Sequence, residues 1–155
     1  EAVYGAVLSS CRRGGRWERS CAVLGEASMR GLEVDAIMYN AVLGACERDG
    51  QWQVMLFLLR EMPRASLEPG GVAYVAAIGA CGKRWALALA LLAEYWRADV
   101  RPDVVVCNAA ITACSKWVQR DWGLTAELLQ EARRRWADLD VVSYSAALGA
   151  CEGPS

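Results

Sequence analysis

Apolar residues recur at i, i+3, i+4 and i+7 along Tyr39, Val42, Leu43 and Cys46, and the spacing returns in Tyr74, Ala77, Ile78 and Cys81. Each set makes one stripe on a helix, the mark of a buried face. Trp52, Leu56, Leu59 and Met62 predict a second helix with its own stripe. Gly14-Gly15 and Asp49-Gly50 separate the two helices, as glycine does past a helix end. The chain returns through Leu67-Glu68-Pro69-Gly70 and Val100-Arg101-Pro102-Asp103, because proline ends a helix and extends the residue before it. Asp103, Asp140 and Ser143 are the expected N-caps of the helices that follow.

The pattern is periodic. Tyr39 to Cys46 reads YNAVLGAC, and related stretches begin at Tyr4, Tyr74, Cys107 and Tyr144. Trp17, Trp52, Trp85 and Trp122 each lie 22 residues before the next copy. A Leu follows seven residues after each Trp (Leu24, Leu59, Leu92, Leu129), and a Glu two later (Glu26, Glu61, Glu94, Glu131). Only the gap from Cys to Trp varies, so the repeats run 35, 35, 33 and 37 residues. Length variation confined to one point marks a surface turn between two fixed elements. The unit is therefore a helix, an adjustable turn and a second helix, and such units stack.

The expected fold is all-α, a right-handed superhelical solenoid of helix-turn-helix repeats. Its repeats are residues 1–35, 36–70, 71–103 and 104–140, with 141–155 supplying the first helix of a fifth. Helices of about 11–14 residues are marginal alone, so stability must come from stacking. Loss of a repeated Trp or Leu is expected to cost about 2–5 kcal/mol. The fifth copy lacks its partner helix and neither end shows a polar cap, so the chain is expected to be part of a longer array.

Composition narrows the chemistry. The longest wholly apolar run, Trp85 to Ala93, is too short to cross a bilayer, so no membrane role is expected. The seven cysteines include no C-x-x-C pair, and Cys11, Cys46, Cys81, Cys114 and Cys151 occupy one repeat position. The chain has no His, so no metal site or cofactor is expected. The cysteines read as small buried apolar residues in a reducing compartment.

Once the core is set aside, one face of each first helix carries the remaining information. Ala2, Ile37, Val72, Val105 and Val142 form an aliphatic row. Three residues on stand Gly5, Asn40, Val75, Asn108 and Ser145, then the small residues Ser9, Gly44, Gly79, Thr112 and Gly149. Arg13, Arg48, Lys83 and Lys116 add one positive charge per repeat, with Gly153 breaking the row. Steps of three and four place these on one helical face. An apolar shelf, a variable selector, a trough and a charge together suit a single nucleic-acid strand: apolar surface for the base, hydrogen bonds to its edge, cations for the phosphate. Each row also has a plainer reading. A terminal Lys or Arg suits the helix dipole whatever the protein binds, and a neighbouring helix could be what approaches the glycines.

The stretch Pro102-Asp103-Val104-Val105-Val106-Cys107-Asn108-Ala109-Ala110-Ile111 resembles the signature opening of the pentatricopeptide repeat, and Leu59-Arg60-Glu61-Met62 resembles its second-helix ending. The likeness runs the length of the chain. It implies one base read per repeat, by the residue after the Tyr together with the last residue of the unit. Carried over by position, the pairs are Gly5 with Asp35, Asn40 with Gly70, Val75 with Asp103, and Asn108 with Asp140; Ser145 opens the partial unit. The resemblance also implies that Ala2, Ile37, Val72, Val105 and Val142 sandwich bases, and that Arg13, Arg48, Lys83 and Lys116 contact phosphates. Asn with Asp is similar to the family's uridine-preferring pair, whereas Gly5, Gly70 and Val75 depart from its useful pairs.

These observations predict a single-stranded RNA binder, in a mitochondrion or chloroplast by resemblance, with protein partners through flanking domains and no enzymatic activity of its own. The alternatives are a scaffold that holds a peptide in the same groove, and an array that folds but binds nothing tightly. A net charge of −1 is unusual for a nucleic-acid binder. It requires Glu26, Glu61, Glu94 and Glu131 to lie away from the positive row.

Overall fold

A computed structural model describes residues 17–98, 103–117, 122–135 and 139–149. Among them every regular element is helical: α1 (Trp17–Met29), α2 (Ala36–Arg48), α3 (Trp52–Arg64), α4 (Gly71–Ala80), α5 (Trp85–Arg97), α6 (Val104–Trp117), α7 (Trp122–Arg135) and α8 (Val141–Leu148). Trp17, Trp52, Trp85 and Trp122 each open the second helix of a repeat, so the landmark read from sequence is a helix start. No described helix is long and apolar enough to cross a membrane.

The chain divides into two compact units, Glu1–Ala80 and Cys81–Ser155, split in the turn between the two helices of the third repeat. In the first unit α2 packs on α1, α3 and α4, and α3 also packs on α4. In the second, α6 packs on α5, α7 and α8, and α7 on α8. Both units are thus stacked hairpins around the first helix of an even-numbered repeat. The hubs bury equivalent residues: Tyr39, Val42, Leu43 and Cys46 on α2, and Cys107, Ala110, Ile111 and Cys114 on α6.

The second helices differ from expectation. Met55, Leu58, Leu59 and Met62 are the buried side chains of α3, whereas Trp52 and Leu56 are half-buried. The same phase holds in α5, where Ala88, Leu91, Leu92 and Tyr95 are buried and Trp85 is exposed. Helical side chains lean over the preceding turn. A Trp at the first helical position has no such turn to cover, so part of its ring stays in solvent. Trp17, Trp52 and Trp85 are therefore not deep core, and the cost expected for losing the repeated Leu does not extend to them.

Local chemistry explains the helix boundaries. Asp35 caps α2, its Oδ1 accepting the Met38 N–H at 2.8 Å, and Asp140 caps α8, accepting the Ser143 N–H at 2.9 Å. Asp103 accepts the Val105 N–H at 2.9 Å at the start of α6. Ser143, an expected cap, is instead the third residue of α8 and is fully buried. At the other end of α2, the Gln51 N–H reaches the Cys46 carbonyl at 3.0 Å with Gly50 at φ +61°. The end of α3 makes the equivalent bond, Leu67 N–H to the Met62 carbonyl at 2.9 Å, but places Ser66 at φ +60°. A left-handed conformation without glycine costs about 1–2 kcal/mol.

The thiols behave as apolar groups. Cys46, Cys81, Cys107 and Cys114 are buried and Cys21 is half-buried, all five unbridged. Burial pushes Cys81 and Cys114 up to about 11 and Cys107 up to about 12. Such thiols stay protonated and unreactive at neutral pH. Cys11 and Cys151 lie outside the described residues.

Candidate functional site

The aliphatic row is exposed in every described copy. Ile37, Val72, Val105 and Val142 occupy the second position of the first helices and are 76%, 66%, 53% and 57% accessible. Isolated surface aliphatics are ordinary. The same exposed position four times over is a feature of the repeat. Ala2, Gly5 and Arg13 lie outside the described residues.

In the fourth repeat the two expected selector residues touch. The Asn108 Nδ2 donates to Asp140 Oδ1 at 3.2 Å, although 32 residues of chain separate them. A third group joins them: Ser143 Oγ donates to Asn108 Oδ1 at 2.6 Å and lies 2.9 Å from Asp140 Oδ1. Helix α6 supplies the amide, and the cap and first turn of α8 supply the carboxylate and hydroxyl. The packing of α6 on α8 brings the three together. The Ser143 N–H, with the Asn108 amide, holds the Asp140 carboxyl below the usual carboxylate range. In the sequence Ser143 reads as a cap and not as part of the site. The available signal was its place one repeat after Asn108 and three residues past Asp140.

The second repeat is built differently. Asn40 is half-buried on α2, and its Oδ1 is buried without a hydrogen-bond partner. Its expected partner Gly70 has no side chain, and serves α4 through its carbonyl, which accepts the Ala73 N–H at 3.0 Å. Ala73 stands where the fourth repeat uses Ser143. In the third repeat, Val75 is half-buried on α4, and Asp103 starts α6 as described. Ser145 is exposed on α8, and Asp35, apart from capping α2, is exposed as well.

The positive row is exposed wherever it is described. Arg48 ends α2 and Lys116 lies in the last turn of α6. Lys83 differs: α4 stops at Ala80, so this residue sits in the following turn and not on the helical face that the spacing predicted. The carboxylates of the repeated Glu row lie on the second helices. Glu131 pairs with Arg135 at 2.8 Å and Glu61 with Arg64, each within its own helix, and Glu26 pairs at 2.7 Å with Arg30, the residue just past α1. Exposed pairs of this kind add little stability. They do pair the carboxylates of Glu26, Glu61 and Glu131 locally.

The small-residue row has a specific neighbour at one point. A Cβ on Gly79 would meet Glu47 Oε1 at 2.5 Å, so the side chain approaching this glycine comes from α2. Desolvation there raises the Glu47 carboxyl above its ordinary range, with the charge of Arg48 opposing. Among the described residues no group of three or more His, Cys, Asp or Glu is placed to hold a metal ion.

Comparison with known proteins agrees with the repeat. The model of the pentatricopeptide repeat domain matches residues 22–84. Among solved structures, the chain resembles the pentatricopeptide repeat protein PPR10 in complex with an 18-nt psaJ RNA element, at 28% identity and a TM-score of 0.82 over 96% of the chain. It also resembles PPR10 from maize, at 30% identity and a TM-score of 0.67 over 96% of the chain. The chain spans 22% and 21% of those two proteins, about a fifth of their length. No curated protein sequence matches it. Residues 22–84 thus match the pentatricopeptide repeat domain, and the chain's own period and stacked hairpins extend that resemblance along its length.

Proposed function

We propose that this array binds single-stranded RNA, each repeat holding one nucleotide, as part of organellar RNA processing, stability, editing or translation in a mitochondrion or chloroplast. The observation that carries the reading is the exposed aliphatic row. Ile37, Val72, Val105 and Val142 hold branched apolar surface in solvent at one repeat position, a shape suited to the face of a base. Arg48, Lys83 and Lys116 supply cations for phosphates, with Arg13 in the first repeat. The Asn108–Asp140 pair is the one complete selector, and by family resemblance it favours uridine. The selectors Gly5–Asp35 and Val75–Asp103 add little base preference, and Asn40–Gly70 favours a pyrimidine through Asn40. The likeness to PPR10 bound to an RNA element supports the choice of ligand.

Salt dependence tests this. Four phosphate contacts on a single strand give a slope of log K against log salt of about −3. Fluorescence anisotropy with a labelled oligonucleotide between low and physiological salt reads it directly. A flat response, or equal affinity for a peptide library and for RNA, would overturn the reading in favour of a protein scaffold.

A further inference from the structure

We infer that Ser143 is a positioning residue for base selection by the fourth repeat: its hydroxyl fixes which end of the Asn108 amide is offered to the base. The inference rests on the RNA reading above and goes beyond the two-residue selector.

The two ends of a side-chain amide are nearly alike in shape and opposite in hydrogen-bonding character. A base read by an amide free to flip meets a donor in one state and an acceptor in the other, and discrimination is lost. Two groups from the next hairpin remove that freedom here. Asp140 as a carboxylate only accepts, so Asn108 turns Nδ2 toward it at 3.2 Å. That turn sends Oδ1 to the other side, where Ser143 Oγ donates at 2.6 Å. A flipped amide would set Oδ1 against the Asp140 oxygen, two acceptors in contact. The second N–H and the second lone pair of the amide remain for a ligand. Ser143 is fully buried and Asn108 only 9% exposed, so the hydroxyl acts through the amide and does not touch the base.

The second repeat shows the arrangement without these groups. Gly70 and Ala73 stand where Asp140 and Ser143 would be, and Asn40 Oδ1 is left buried without a donor. An Asn at the selector position is therefore not enough. Its orientation is set by the first turn of the following helix, and one letter of recognition is shared by three residues of two hairpins.

Ser143→Ala and Ser143→Thr test this in the whole chain, with two readouts. The first is affinity for RNA oligonucleotides carrying each of the four bases at the fourth-repeat position. The second, independent of RNA, is the side-chain amide signal of Asn108 in 15N-resolved NMR. The expected result is that Ser143→Ala lowers base discrimination about fivefold, the worth of one hydrogen bond, and speeds exchange of the Asn108 amide protons. The salt slope should stay unchanged, and Ser143→Thr, which keeps the hydroxyl, should restore both readouts. Full discrimination in Ser143→Ala overturns the inference, as does a loss that Thr fails to rescue. A wild-type chain that binds RNA without base preference overturns it too. A wild-type chain that binds no RNA overturns the functional reading beneath it, and slow Asn108 amide exchange would then show the three-residue cluster to be structural alone.

Discussion

Asn40 and Asn108 occupy the same repeat position on equivalent helices, and they are chemically different sites. Each lies on a hub, α2 or α6, whose buried faces correspond residue by residue through Tyr39 and Cys107, Leu43 and Ile111, Cys46 and Cys114. Asn108 is held by an ionised carboxylate and a hydroxyl. Asn40 faces a glycine and an alanine at those places and keeps a buried oxygen unpartnered. The scaffold is common to both, so the difference lies in two side chains of the following hairpin. In a repeat protein, what a residue does is decided partly by the neighbouring unit, because the packed interface is where its partners come from.

The largest test of that comparison asks whether the scaffolds are indeed equivalent. Leu43→Ala and Ile111→Ala each empty a fully buried site, and each should cost about 2–5 kcal/mol in denaturant unfolding. If one substitution were nearly silent, the two hubs would not be the same structure.

A sharper test uses the isosteric change from Asn to Leu. Asn108→Leu removes the amide's hydrogen bonds to Asp140 and Ser143 and should destabilise by about 1–3 kcal/mol. Asn40→Leu removes an oxygen that has no partner, and should be neutral or stabilising within a similar range of about 1–3 kcal/mol. Equal losses at the two positions would show that Asn40 is satisfied after all.

Transplanting the missing groups should then convert one site into the other. Gly70→Asp combined with Ala73→Ser rebuilds the fourth-repeat arrangement around Asn40. Base discrimination at the second-repeat nucleotide should rise about fivefold, the effect of one added hydrogen bond, with little change in salt slope. No gain in discrimination would mean that backbone placement, and not these side chains, separates the two sites.

The smallest effect is one of sign, read from stability against pH. In the first unit Glu47 is raised, so the folded state holds its proton more tightly than the unfolded state. Stability of that unit should fall as pH rises from the ordinary glutamate value, about 4.3, through the raised one. Glu47→Gln should remove the decline. In the second unit Asp140 is lowered. Its contribution is present above the ordinary aspartate value, about 3.9, and is lost as pH falls through its folded value. Acid titrations of Glu47→Gln and Asp140→Asn that bend the same way would contradict this contrast.

Much of the molecule was legible in the residue order. A period of 33 to 37 residues, an apolar stripe in each half and breakers between them specify stacked helical hairpins, because helices this short persist only by burying that stripe on a neighbour. The exposed row from Ile37 to Val142 was legible as well, since it repeats out of phase with the core. Less readable was the buried face of the second helices. The Trp landmark marks where those helices begin, while Met55, Leu58 and Ala88 do the packing. Periodicity gives the width of an apolar stripe more reliably than its centre when a large aromatic stands at one end.

By itself the sequence determined the hairpin, its length, its core composition and the positions that repeat, all of which follow from local helix geometry and burial. Tertiary packing decided which repeated positions have partners. It brought Ser143 to Asn108 across 35 residues, laid Glu47 over Gly79, and left Lys83 beyond the end of its helix. The reason is physical. Helical propensity and hydrophobic spacing act within about one or two turns, whereas a hydrogen bond between hairpins depends on how two finished helices meet.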